Sequence, residues 1–302
     1  MKYTKILLGL LAMAAAVGFT GCSDSEDILE PSNEKFDNPF AVPDGMTGPE
    51  AEIRRDFFKN TGIYLIFNDT LRTYTDRFGV ERTELVDFDY TFTGSPTHPN
   101  RRFEYIENTE EMKIVADLIA ENLAPRIKDG QFRPFSIIPL KDMATQNYSG
   151  AKWEDKKTFT NFRCLAVNVD PILDAETPED AVNAVNDVII DLINSKISVW
   201  DASMDEFFES VDELSSEYIS DYIDDWDRDI TQVNELGFLR FYESWSISYD
   251  YFPNRKNDFA DYLDLVIKKT SAEVEELYGE YPVIMNRYEF LANYIRKMGV
   301  KI

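Results

Sequence analysis

The hydrophobic pattern changes character partway along this chain, and the change limits the folds open to it. Before about residue 170 the apolar runs are short and strand-like: IYLIF (63–67), the alternating VDFDYTF (86–92), FRPFSIIPL (132–140) and FRCLAVNV (162–169). Alternation marks a strand with one buried face, because successive side chains point to opposite sides. Beyond residue 170 the spacing turns helical. Thr177-Pro178-Glu179-Asp180 offers a capping hydroxyl, a proline suited to the first turn and acids favoured by the helix dipole. It opens a helix with Val182, Val185, Ile189 and Ile193 along one stripe. Further helices are expected over about 203–225, 257–278 and 284–298. Two helices precede them, at 50–59 and at 109–124, the latter with Thr109 as N-cap. Strands first and helices last predict an α+β fold: mixed strands and helices at the N-terminal side, then a helical C-terminal half. Residues 50–302 read as one such domain, about 250 residues long and rich enough in aromatics (14%) for a bulky core.

The first residues carry an address. Lys2 and Lys5 precede an apolar stretch from Ile6 to Val17, too short to span a bilayer, which takes about 20 residues. Gly21-Cys22 then resembles a bacterial lipobox, in which Cys22 is acylated and becomes the first residue of the mature chain. An ordinary signal peptide with an incidental cysteine is the alternative. Residues 1–21 read as the signal peptide and 22–49 as a tether carrying Pro31, Pro39, Pro43, Pro49, Gly45 and Gly48 without apolar periodicity. The acidic run SDSEDILE after Cys22 looks like the export tag that sends lipoproteins of Bacteroidota-type bacteria to the outer face of the outer membrane. A merely solvated linker would have the same composition. The expected location is the outer membrane, lipid-anchored through Cys22 and exposed at the cell surface.

A formal charge of -25 disfavours nucleic acid and anionic lipid as partners. With Cys22 acylated, Cys164 is the one remaining cysteine, and its apolar setting reads as a buried strand thiol.

Nucleophile motifs are missing: no G-x-S-x-G occurs, and Cys164 and His98 lack local signatures. No glycine-rich phosphate cradle precedes a helix. Between Asp205 and Asp229 lie eleven acidic residues and one arginine, which read first as a solvated helix face. Asp225, Asp227 and Asp229 share calcium-loop spacing, but Ile230 and Leu236 stand where such a loop needs Gly and Glu, leaving at most weak calcium binding.

The order of features in the second half resembles the zinc-binding metallopeptidase lipoproteins of Bacteroidota, the substrate import-associated zinc metallohydrolase lipoproteins encoded beside TonB-dependent importers. Phe58 to Ile63 loosely match the family's entry motif, Val167-Asn168 its strand end, Tyr222 and Trp226 an aromatic pair, and GFLRFY (237–242) a Gly-Phe segment. Asp258-Phe259-Ala260-Asp261 match a D-F-A/V-E segment and Met298-Gly299-Val300 the tail. The resemblance implies a zincin-like metallopeptidase-type domain. It also implies an HExxH helix, in which histidines at i and i+4 on one face hold zinc and the intervening Glu polarises the bound water. Here that helix is degenerate. One register places Asn186 and Ile190 at the histidine positions and Asp187 at the Glu; an alternative register uses Asp205, Glu206 and Glu209. In the related enzymes the position of Asp261 is Glu, the third metal ligand.

The stretch NDFADYLDLVI (257–267) is therefore open to two readings. It is a helix start with Asp258 as N-cap and Asp261 at N3, or the remnant of a metal site. Neither register supplies zinc ligands, so no metal and no catalytic residue is expected. Three functions remain: a non-catalytic accessory subunit of a TonB-dependent importer and its surface lipoprotein, binding oligopeptide or glycan; a hydrolase with a carboxylate-ligated metal; or a structural lipoprotein. For the first, YESWSISYDYFPNR (242–255) supplies Trp245, Tyr249 and Tyr251 as ligand-binding candidates, unless the segment packs on the core.

Overall fold

A computed structural model describes residues 38–86, 88, 101–127, 129–146, 152–223 and 229–302. Cys22, His98, Asp225, Trp226 and Asp227 lie outside the described residues, as does most of 86–92. The compact unit described below runs from Pro39 to Ile302.

In chain order the strands are β1 (Tyr64–Leu65), β2 (Thr70–Thr75), β3 (Glu81–Leu85), β4 (Arg101–Tyr105), β5 (Ser136–Gln146), β6 (Trp153–Asp155), β7 (Thr158–Thr160) and β8 (Cys164–Asn168). The helices of eight residues or more are α1 (Pro49–Thr61), α2 (Thr109–Leu118), α3 (Pro178–Asn194), α4 (Arg255–Lys268), α5 (Ser271–Tyr278) and α6 (Pro282–Lys297). The fold is α+β, with the strands towards the N-terminus and the helices towards the C-terminus.

β5 is the spine of a six-stranded sheet. Its first half pairs in parallel with β1 on one side and β8 on the other, and β7 closes the β8 edge in antiparallel register. Its second half carries β4 and β6, both antiparallel. Both faces of the parallel part are covered, which is why its strands read as continuous apolar runs. Ile137, Leu165 and Val167 enter the helix-side core, whereas Ile138, Cys164 and Ala166 enter a second cluster with Phe40, Ile66 and Phe88. Phe40 falls within the stretch expected to be tether, yet it is buried edge-on against Phe135, so packing begins before residue 50. Cys164 is buried as expected, and burial pushes its thiol up to about 12.

Several expected boundaries move. Thr177 caps α3 in a reciprocal capping box with Asp180, as its sequence promised. Val185, Ile189 and Ile193 are buried, but Val182 is exposed and Ala181 takes its place on the inner face. Asn108, not Thr109, caps α2, whose continuation over Ile119–Leu123 is π-helical. The expected helix over 203–225 is broken into short turns. The first short helix already ends at Phe208, and Ser216, with φ 70, adds a left-handed conformation incompatible with a continuing helix. The expected helix over 257–278 starts earlier and divides where Thr270 caps α5.

Two distant glycines meet backbone to backbone. Gly130 (φ +71) and Gly299 (φ +96) sit so close that a Cβ on the first would lie 2.4 Å from the Met298 carbonyl oxygen, and one on the second 2.6 Å from that of Asp129. Lys301 N–H donates to the Arg126 carbonyl at 2.9 Å, and Arg126 Nε–H donates to the Lys301 carbonyl at 3.0 Å, locking the C-terminal segment beside α2 and its continuation.

Candidate functional site

α3 carries acids at i and i+4 that face the start of β7. Asp191 accepts from Thr158 N at 3.0 Å and Oγ1 at 2.6 Å, and Asp187 pairs with Lys157 Nζ at 2.8 Å. This clamp sets α3 across the sheet and turns Asp187 and Ile190 towards α4. α4 packs beside α3, with Phe259, Leu263 and Val266 buried in the common core and Asp261 and Asp264 less buried. Between the two helices lies a cleft of about 590 Å³ lined by Asp187, Ile190, Arg240, Asp261, Asp264 and Lys268, with Lys157, Leu239 and Tyr278 at its margins.

The structure thus brings three of the four positions expected from the degenerate motif into one cleft: Asp187, Ile190 and Asp261. Asn186 is left out. It turns to the buried side, where its Oδ1 accepts from Arg126 Nη1 at 2.5 Å. The alternative register goes elsewhere. Glu206 and Glu209 line a separate groove with Asn286 and Phe290, and Asp205 is exposed at the start of a short helix.

Cations occupy the carboxylates of the cleft. Lys268 Nζ bridges Asp187 at 2.9 Å and Asp264 at 2.6 Å. Arg240 grips Asp261 with both arms of its fork, Nε at 2.8 Å and Nη2 at 2.5 Å, and also donates to the Tyr242 hydroxyl at 3.2 Å. Two acids in one cleft are driven in opposite directions. Burial raises Asp187, but its hydrogen bonds to Lys157 and Lys268 outweigh that and hold it below the ordinary carboxylate range. Burial prevails at Asp261 and pushes it up to about 6 despite Arg240.

This donor set does not fit a zinc ion. Ile190 has no donor atom, Asn186 faces Arg126, and Asp187 and Asp261 are held by lysine and arginine. Among the described residues no group of three His, Cys, Asp or Glu side chains is arranged to hold a metal.

Asp258 corrects the expected helix start. Asn254 caps α4, accepting from Asn257 N at 3.0 Å, and Asp258 lies inside the helix, buried against Arg287 of α6. The Arg287 guanidinium forks onto the Asp258 carboxylate, donates from Nη1 to the Gly237 carbonyl at 2.7 Å and from Nε to the Phe207 carbonyl at 3.0 Å. It is stacked between the rings of Phe207 and Tyr262, each 4.3 Å from its centre. Tyr262 OH donates to the same Gly237 carbonyl at 2.7 Å. Asp258 and Arg287 form a structural centre sealed from solvent, separate from the cleft although Asp258 is three residues from Asp261.

The third set of candidates is open to solvent. Trp245 is 84% exposed, and Tyr249 and Tyr251 are exposed as well. Of the matched aromatic pair, Tyr222 is exposed, resting edge-on over the buried Phe252. Lys157, Arg240 and Lys268, which decide the chemistry of the cleft, were missed by sequence reasoning. Each belongs to a different segment and looks like ordinary surface charge.

Among the described residues no helix is long and apolar enough to cross a membrane. Comparisons with protein-family models, with curated proteins and with solved structures find no match.

Proposed function

We propose that the chain is a non-catalytic surface lipoprotein, held in the outer membrane by acylated Cys22, that serves as an accessory subunit of a TonB-dependent nutrient importer. In this reading it uses a zincin-like metallopeptidase scaffold from which the metal has been lost. The observation that carries the reading is the cleft between α3 and α4. Three of the four positions at which the resembling enzymes would place zinc ligands and catalytic acid, Asp187, Ile190 and Asp261, line it, and Lys157, Lys268 and Arg240 hold the two carboxylates. A lysine ammonium beside a carboxylate supplies the charge compensation a divalent cation would otherwise supply, and it supplies no activated water. The order of elements is in keeping with the resemblance: β8 ends at Val167-Asn168, and the next long helix carries Asp187.

The test is the acylated protein itself, solubilised in detergent from the native membrane. It should co-purify with a TonB-dependent importer and its surface lipoprotein, contain no stoichiometric metal and cleave no peptide. Stoichiometric zinc, calcium or manganese together with hydrolysis would establish the alternative, an active metallohydrolase with a carboxylate-ligated metal. Absence of any importer from the purified material would leave a structural lipoprotein.

A further inference from the structure

The aromatic residues around Trp245 are a single construction, built by two segments far apart in the sequence. Tyr218, Tyr242 and Tyr251 pair as neighbouring short strands through isolated bridges of Tyr251 to both of the others. The frame beneath them is closed by backbone hydrogen bonds. Ile219 N–H donates to the Asp250 carbonyl at 2.9 Å, Phe252 N–H to that of Glu217 at 3.0 Å, and Tyr242 and Tyr251 exchange bonds at 3.0 and 3.1 Å. Buried Asp250 accepts from Ser244 N–H at 2.7 Å and so fixes the turn that presents Trp245. Phe252 anchors the frame in the core, stacked on Phe238 at 4.9 Å. Above this frame the rings touch one another and face water: Trp245 on Tyr249 at 4.9 Å, Tyr249 edge-on to Tyr218 at 5.8 Å, Tyr242 stacked on Tyr251 at 5.4 Å.

A contiguous exposed face of this kind calls for an occupant. Its chemistry narrows the choice. Residues 216–222 and 242–252 contain no lysine or arginine; Arg240, 5.2 Å over the Tyr242 ring, is already forked onto Asp261, while Glu217, Asp221 and Glu243 are exposed. A chain with a net charge of -25 and a carboxylate rim repels sulfated or uronate ligands and anionic lipid. A single exposed ring face attracts a cation only weakly, the aromatic-cage sites for cationic ligands enclosing the charge, and Trp245, at 84% exposure, offers one open face. An open indole face flanked by phenols and carboxylates suits a neutral pyranose. The apolar C–H face of the sugar lies on the ring, and its hydroxyls donate to carboxylates and tyrosine oxygens.

We propose that Trp245, Tyr249 and Tyr218, on the frame closed by Tyr242 and Tyr251, form a binding site for a neutral oligosaccharide. This rests on the accessory-subunit reading and names the class of its cargo. The test uses the full-length lipoprotein in detergent on an array of neutral, uronate and sulfated oligosaccharides with a lysine-rich peptide beside them, followed by titration calorimetry on the best neutral ligand. The wild type should bind neutral glycans, with quenching of tryptophan fluorescence. Trp245→Ala should weaken binding about tenfold or more, as truncation of one stacking partner does, at unchanged Tm, and Trp245→Phe should restore part of it. Retention of neutral sugars on the array with full affinity in Trp245→Ala would overturn the site. So would binding confined to the peptide or to anionic glycans, or no binding to any member of the array. Importer co-purification of the wild type separates the two claims: a wild-type protein that retains the importer but binds no neutral sugar leaves the accessory role standing and removes this site.

Discussion

Two aspartates on α4, three residues apart, are each forked by an arginine, and the two pairs live in different worlds. Asp258 and Arg287 are 2% and 3% exposed, walled by Phe207 and Tyr262, and joined to backbone carbonyls from two other segments. Asp261 is 13% exposed, and its partner Arg240 is 55% exposed at the lip of the cleft. The chemistry of the two contacts is the same. What differs is the cost of leaving one partner behind, because a buried charge without a counter-ion has no water to turn to, whereas an exposed one is simply hydrated.

The comparison predicts a graded series. Asp258→Ala should lose about 3–5 kcal/mol in chemical denaturation, the range for stranding one member of a buried ion pair. The double change Asp258→Leu with Arg287→Met should recover much of that loss; a double variant as unstable as the single would show that the hydrogen bonds to Gly237 and Phe207, not the stranded charge, dominate. Next comes Tyr262→Phe, which removes the donor to Gly237 but leaves Arg287 on the same carbonyl, so about 1 kcal/mol is expected. Arg240→Ala should cost about 0–1 kcal/mol. A loss as large as that of Asp258→Ala would erase the distinction between the two pairs.

The smallest expected effect is a slope. Asp261 is raised from 3.8 to about 6, so between those values the folded chain keeps a proton the unfolded chain has released. Its contribution to stability is therefore fully present on the acid side and declines as the pH rises through about 6. Asp187, held below the ordinary range, contributes the other way, with stability present at neutral pH and lost on acidification. Because burial also raises Asp258, comparing Tm against pH for wild type and Asp261→Asn should show a larger acid-side advantage in the wild type; parallel curves would mean that Arg240 keeps Asp261 ionised throughout.

What could be read in the sequence was what is decided locally. The α3 start needs only Thr177, Pro178 and Asp180, all within one turn, and the strand runs at 136–140 and 164–168 declare themselves because both faces of the sheet are covered. The helix start proposed at Asp258 failed because an aspartate ahead of an apolar run looks the same whether it caps a helix or pairs inside one. Its partner lies 29 residues away. One clue was available. Arg287 sits on the apolar stripe of α6, among Ile284, Tyr288 and Leu291, and an arginine there requires a buried acid. The cleft gave no such clue. Lys157, Arg240 and Lys268 follow no shared spacing, and only the packing of α4 on α3 and β7 makes them neighbours. Breaking of the 203–225 segment was hidden in the same way, since its acids allow helical spacing and neither the turn after Phe208 nor the left-handed Ser216 leaves a mark in composition.

The glycine contact between 130 and 299 bears on the order of assembly. Arg126 and Lys301, which bond across it, are 175 residues apart. A chain emerging from the ribosome presents α2 and β5 long before α6 exists. Until α6 arrives, the helix-side core lacks Leu291 and Ile295, and the strip behind Gly130 stays open. Closure of so long a loop is a late event in folding. The protein is accordingly expected to remain an incomplete fold needing protection from aggregation until its last helix is delivered, and to become compact only then.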